Sequence, residues 1–131
     1  MPLNYIDFLV SAIDNFNFNN EIGYRNAISR VYYSTYHKSL SQLIKMPTAC
    51  SSHHATIIRY LASKECSQNE QHGKNTLKEL SLSMKQLRNA RNKSDYRLDT
   101  TISKAAAIAN MDLAHRIFDL WGDPQKQFKA Q

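Results

Sequence analysis

Glycine and proline are scarce, with three of each in 131 residues. Sandwiches and barrels need many tight turns, so this scarcity argues against them and for long helices. Cys50 and Cys66 are the only cysteines. They are too few for a disulfide framework and are expected to stay as thiols in a reducing compartment. No run of about 18 apolar residues is present, which predicts no membrane-spanning helix. The opening Met1-Pro2-Leu3-Asn4-Tyr5 lacks the basic-then-apolar order of a secretory signal, and the expected location is the cytoplasm. The patterns G-x-x-x-x-G-K-[ST], G-x-G-x-x-G and H-E-x-x-H are also missing, so P-loop, Rossmann and zincin chemistry have no motif support. Acidic residues are the minority. Against 11 Asp and Glu stand 17 Lys and Arg, a formal charge of +6 with a pI near 9.4. That balance leans toward an anionic partner, nucleic acid or a nucleotide.

What is present reads as one helical domain over residues 1–131. At 42% hydrophobic and 21% charged residues the chain can build a core and is not disordered. The few breakers mark where periodic segments stop: Pro47 in one loop, Gly73 closing the polar stretch Ser67 to His72, and Gly122 with Pro124 ending the last segment. About five helices lie between them. The first carries Tyr5, Phe8, Leu9, Ala12, Ile13 and Phe16 at steps of three and four behind a cap at Asn4. A second runs from about Ile22 to Lys45, and a third starts after a Ser52 cap with Ile57, Ile58, Leu61 and Ala62 inward. The fourth, about Asn75 to Tyr96, shows Leu77, Leu80, Met84 and Leu87. The fifth, capped near Asp99 or Thr100, shows Ile102, Ala106, Ala109, Leu113, Ile117 and Leu120. With no alternating strand pattern, the expected fold is all-α, a single up-and-down bundle.

Two helix faces carry more than packing. On the second helix, Tyr24, Ile28, Val31, Tyr32 and Thr35 form the core arc. Behind them Arg30, Tyr33 and His37 form another arc, extended by Leu40 and Ile44. Either a second subunit covers that arc, or the helix sits centrally within one chain. On the fourth helix, Arg88, Arg91 and Asp95 continue the apolar arc of Leu77, Leu80, Met84 and Leu87. Burying a guanidinium without a partner costs several kcal/mol. These side chains therefore either pair with Asp95 at a helix end or open into a cleft as a forked donor set for phosphate. Cys50, His53, His54, Cys66 and His72 surround the third helix, but without a paired C-x-x-C spacing they do not read as zinc ligands.

The segment Arg25-Asn26-Ala27-Ile28-Ser29-Arg30-Val31-Tyr32-Tyr33-Ser34-Thr35-Tyr36-His37 resembles the signature second helix of the HEPN family (higher eukaryotes and prokaryotes nucleotide-binding). Leu87-Arg88-Asn89-Ala90-Arg91-Asn92-Lys93-Ser94-Asp95-Tyr96 is similar to the family's fourth-helix pattern in the branch L-R-x-x-R-x-x-[AS]-D-Y. Ser52-His53-His54-Ala55-Thr56-Ile57-Ile58 resembles the start of its third helix. The matches fall in the expected order, and with the flanking helices the resemblance spans nearly the whole chain.

The resemblance implies a small helical bundle that dimerises, with the two fourth-helix motifs facing a shared cleft. Many HEPN proteins are metal-independent endoribonucleases, often toxins or phage-defence effectors, and others only bind nucleotides or RNA. Their nuclease signature places a histidine four to six residues after the arginine. After Arg91 this chain reads Asn92-Lys93-Ser94-Asp95-Tyr96-Arg97-Leu98 and departs from that signature. Cleaving RNA through its own 2′-hydroxyl needs a base, an acid and cations for the developing charge, and arginine supplies only the cations. The candidate catalytic residues are Arg88, Arg91, Asp95, Tyr96 and His37. Arg30, Tyr33, Lys93 and Arg97 are the candidates for contacting nucleic acid around them. RNA or a nucleotide and a second copy of the chain are the expected partners, with a cognate antitoxin or a nucleotidyltransferase as further possibilities. No cofactor or metal is expected. The alternative is a catalytically silent HEPN module that serves assembly with another protein.

Overall fold

The computed structural model describes residues 3–45 and 53–122. Among them the chain forms six helices and no strand. They are α1 (Tyr5–Phe16), α2 (Glu21–Gln42), α3 (His53–Leu61), α4 (Lys64–Asn69), α5 (Lys74–Tyr96) and α6 (Lys104–Trp121). The fold class is all-α, with one helix beyond the five expected. The extra element is α4, six residues inside the polar stretch, too short to show an apolar period. The Pro47 loop with Cys50, the Ser52 cap and Pro124 lie outside the described residues.

Local chemistry explains the boundaries. Asn4 starts α1 with a capping box: its side chain accepts from Ile6 N at 2.8 Å, and Asp7 accepts from Asn4 N at 2.8 Å. Asn20 caps α2 by accepting from Gly23 N at 2.9 Å. A Cβ on Gly23 would meet the Asn15 carbonyl oxygen well inside van der Waals contact, so only glycine lets the two helices meet this closely. The helix α2 stops at Gln42, short of the expected Lys45, because the Glu70 carboxylate takes the next amides, Ile44 N at 2.7 Å and Lys45 N at 3.0 Å. Burial alone would raise the pKa of Glu70, but these bonds and one from the Tyr60 hydroxyl at 2.6 Å hold it below the usual carboxylate range. The last helix is capped by Ser103, which accepts from Ala106 N at 3.1 Å. Thr100 cannot cap it, since its hydroxyl donates back to the Arg97 carbonyl at 2.8 Å.

The central helix α2 packs against α1, α5 and α6, while α3 and α4 lie on α5. Its predicted core arc is buried at Ile28, Val31, Tyr32 and Thr35: Val31 and Tyr32 join Leu77, Leu80, Met84 and Leu87 of α5 in the main apolar cluster, while Ile28 packs in a smaller one with Ile102 and Ala107. The stripe on α6 is close to the expected one but centred slightly differently: Ile117 is buried, and Ala106, Leu113 and Leu120 are partly buried against the apolar clusters. Ala107, Ala114, Ile117 and Trp121 are buried, whereas Ala109 is exposed. Trp121, among the largest buried side chains, anchors the end of the helix: its indole N–H donates to Ser39 Oγ at 2.9 Å, and its carbonyl meets His72 Nε2 at 2.5 Å. The inward face of α3 is also shifted, with Thr56, Ile57, Tyr60 and Leu61 buried and Ala62 exposed. Cys66 is buried and unpaired, and burial, then the nearby Glu70 charge, push its thiol pKa up to about 11.

Arg25 is the one strongly buried arginine, 5% exposed. Its Nε pairs with Glu21 at 3.0 Å, Nη1 donates to the carbonyls of Ser94 at 2.9 Å and Arg97 at 3.3 Å, and Nη2 donates to the carbonyl of Thr100. These carbonyls lie at the end of α5 and in the turn that follows, where a helix leaves acceptors without partners and favours a cation. Arg25→Ala should therefore destabilise the chain by about 2–4 kcal/mol. That lowers Tm on the order of 10 °C, measured by circular dichroism. Arg25→Lys recovers only part of the loss, because an ammonium cannot reach three carbonyls as a planar fork does.

Candidate functional site

The last turns of α5 carry the arginines to a surface shared with α2 and the start of α3. Arg91, with 16% of its side chain exposed, stands with Nε 3.0 Å from Asp95 Oδ2, a contact of charges whose N–H is not aligned as a hydrogen bond. Nη2 donates to the Tyr33 hydroxyl at 2.6 Å and Nη1 to Asn92 Oδ1 at 3.0 Å. The guanidinium also lies 5.2 Å from the Tyr33 ring centre and 5.4 Å from that of Tyr96. A guanidinium carries five N–H groups. One N–H on each terminal nitrogen of Arg91 therefore has no partner among the described residues.

Asp95 meets both Arg91 and Ser29 through one oxygen, Oδ2, to which the Ser29 hydroxyl donates at 3.1 Å. It does not hold Arg88. That half-buried arginine has neither an ion pair nor a hydrogen bond among the described residues. Its charge nonetheless acts on Tyr32 and His54.

In the sequence His54 stands among the histidines around the third helix, within the segment that resembles the start of that helix in the HEPN family. The structure brings it into the arginine cluster. From the first turn of α3, its Nδ1 lies 2.6 Å from the Tyr32 hydroxyl, and its ring centre is 4.2 Å from Tyr36 and 6.0 Å from Tyr33. Tyr33 thus touches Arg91 on one side and His54 on the other. Burial, then Arg88 and Arg91, then His53 and His37, lower the pKa of His54 below the ordinary histidine value. Burial likewise raises Tyr32 strongly against the opposing pull of the two arginines, so its phenol stays protonated. No spacing rule links positions 54 and 88. The only sequence signal was the third-helix resemblance.

The other candidates lie farther out. His37 stacks on Phe8 of α1 at 5.0 Å and meets Tyr36 edge-on at 5.3 Å. It lines an open groove of about 440 Å³ with Tyr5, Phe8 and Ser41. Arg30 is exposed and lines the neighbouring groove of about 330 Å³ with Asp7, Phe8 and Ser11. So part of the second arc of α2 is covered by α1 of the same chain. Tyr96 is 68% exposed, Lys93 is exposed, and exposed Arg97 pairs loosely with Asp99 at 3.5 Å. Among the described residues no three or more His, Cys, Asp or Glu gather as metal ligands, and none of the helices is long and apolar enough to cross a membrane.

No protein-family model, curated protein or solved structure matches the chain. Function must therefore be read from these residues.

Two measurements check the geometry. Ser94 is 2% exposed and its hydroxyl has no hydrogen-bond partner among the described residues. Ser94→Ala should thus be neutral or stabilise by up to about 1 kcal/mol in urea unfolding. The lowered pKa of His54 means the unfolded chain binds its proton first. Stability from this group is complete above about pH 6.5 and is lost as pH falls through the lower folded value. An NMR titration should give a His54 pKa below that of a free imidazole, and Arg88→Ala should raise it.

Proposed function

We propose that the chain is a HEPN-like protein that grips an RNA or nucleotide phosphate with Arg88 and Arg91. The observation that carries this reading is Arg88: a half-buried guanidinium without a carboxylate, on the same helix face as Arg91, whose terminal nitrogens each keep one uncommitted N–H. A phosphate between them would take the donors that Asp95 does not, and desolvated cations bind anions more strongly than exposed ones do. Tyr33 and Tyr96 flank Arg91 and offer ring faces for a base or ribose. Lys93 and Arg97, both exposed nearby on α5 and at its end, add sequence-independent attraction, in keeping with the charge of +6. The up-and-down arrangement, the twofold pairing of two such sites and a toxin or phage-defence setting in the cytoplasm all belong to this proposal through the family resemblance.

One feature favours the second reading, an assembly module. Ile6, Val10 and Ile13 make an exposed apolar stripe along α1, the kind of surface that partner helices cover.

The test is fluorescence anisotropy with a labelled mixed-sequence RNA. Arg88→Ala together with Arg91→Ala should weaken binding about 100-fold or more, as expected for two charge-assisted contacts. Arg88→Ala alone should weaken it clearly without changing helicity, because that side chain makes no hydrogen bond or ion pair among the described residues. Lys93→Ala should lower affinity modestly and reduce its salt dependence. Unchanged binding in the Arg88 variant removes the site.

A further inference from the structure

We infer that His54 is the proton-handling residue of this site: its imidazole acts as general base on the 2′-hydroxyl next to a phosphodiester held by Arg88 and Arg91. The inference rests on the phosphate reading above and adds a reaction to it. The helix α5 has no histidine after Arg91, yet the fold supplies one from α3, placed against the Tyr33 ring that Arg91 also touches. Arginine, tyrosine and histidine thus converge from α5, α2 and α3.

A general base must be neutral, must present a free lone pair, and must be held in place. The Tyr32 hydroxyl, 2.6 Å from Nδ1, meets the last need, and it meets the second in the tautomer that carries its proton on Nδ1. When it accepts Nδ1–H, the lone pair resides on Nε2, which has no partner among the described residues. Tyr32 is then a positioning residue, and Tyr36, with its ring centre 4.2 Å away, limits the tilt of the imidazole. The groups facing His54 are Tyr32, Tyr33, Tyr36 and His37 from α2, Arg88 and Arg91 from α5, and neighbouring His53. The groups whose charge acts on it are Arg88 and Arg91, then His53 and His37, while Asp95 pairs with Arg91. Burial first, then these cations, disfavour the charged imidazole, and a bound phosphate would ease its protonation during the reaction.

The step balances without a further reactant. Nε2 takes the proton of the 2′-hydroxyl, and the 2′-oxygen forms a bond to phosphorus. The bond from phosphorus to the 5′-oxygen breaks, and the leaving oxygen takes a proton from water while His54 returns its own to solvent. The products are a 2′,3′-cyclic phosphate and a 5′-hydroxyl. Arg88 and Arg91 offset the charge that builds on the phosphoryl oxygens.

The experiment uses the full chain with a fluorescent mixed-sequence RNA and its all-deoxy counterpart, in EDTA. Binding is read by anisotropy, and cleavage by single-turnover gels with end-group analysis. The RNA should be cut to 2′,3′-cyclic ends and the deoxy strand bound but uncut. His54→Ala should slow cleavage about 100-fold or more while RNA affinity changes less than about twofold. The wild-type rate should rise with pH and level off, with its inflexion at the His54 pKa read by NMR on the same complex. That comparison needs no variant. Tyr32→Phe should shift the inflexion. RNA that binds but stays whole, an unchanged rate in His54→Ala, or a neutral tautomer with its proton on Nε2 by nitrogen NMR would each overturn the role of His54 and leave the phosphate site standing. RNA that does not bind the wild-type chain overturns both.

Discussion

A buried guanidinium joins the two long helices. Arg25 leaves α2 and supplies donors to carbonyls at the end of α5 and in the turn before α6, where a helix end leaves acceptors short of partners. Because it clamps the Ser94 carbonyl, it also sets where the next residue, Asp95, meets Ser29, and where Arg91, one turn earlier, meets Tyr33. The candidate site is therefore built on a helix end that is held from beneath. An end left to fray could not hold two guanidinium groups against a neighbouring helix.

That support produces an imbalance of charge. One carboxylate faces two arginines, and geometry assigns it to the nearer one, an i, i+4 pair on the same helix. Arg88 is left as a cation in partly desolvated surroundings, with its field falling on Tyr32 and His54. A protein optimised only for stability would give this position a carboxylate or an apolar residue. The tyrosines of α2 contribute in two ways: Tyr32 is fully buried core and still offers its hydroxyl to His54, whereas Tyr33 bridges the arginine and the histidine.

Much of the architecture was legible in residue order. Asn4 followed by Asp7 signals a helix start, and the spacing of Leu77, Leu80, Met84 and Leu87 signals the buried face of α5. Reading failed where a distant residue competes for a local group. Glu70 ends α2 early by taking two amides, and Thr100 turns its hydroxyl back onto Arg97. On α6, Trp121, Ala107 and Ala114 take the deepest positions and leave Ala106 and Leu113 partly buried at the edges of the apolar clusters. Periodicity carries no information about which large side chain will claim a deep space between neighbouring helices.

The sequence by itself determined an all-helical chain and the arc on which Arg88, Arg91 and Asp95 share one face, because helical period and capping are local properties set within a few residues. Tertiary structure alone decided which arginine Asp95 neutralises, that Arg25 is structural, and that His54 stands beside the arginine pair. Those outcomes depend on how α2, α3 and α5 approach one another, and ionisation and pairing follow from three-dimensional distance and burial.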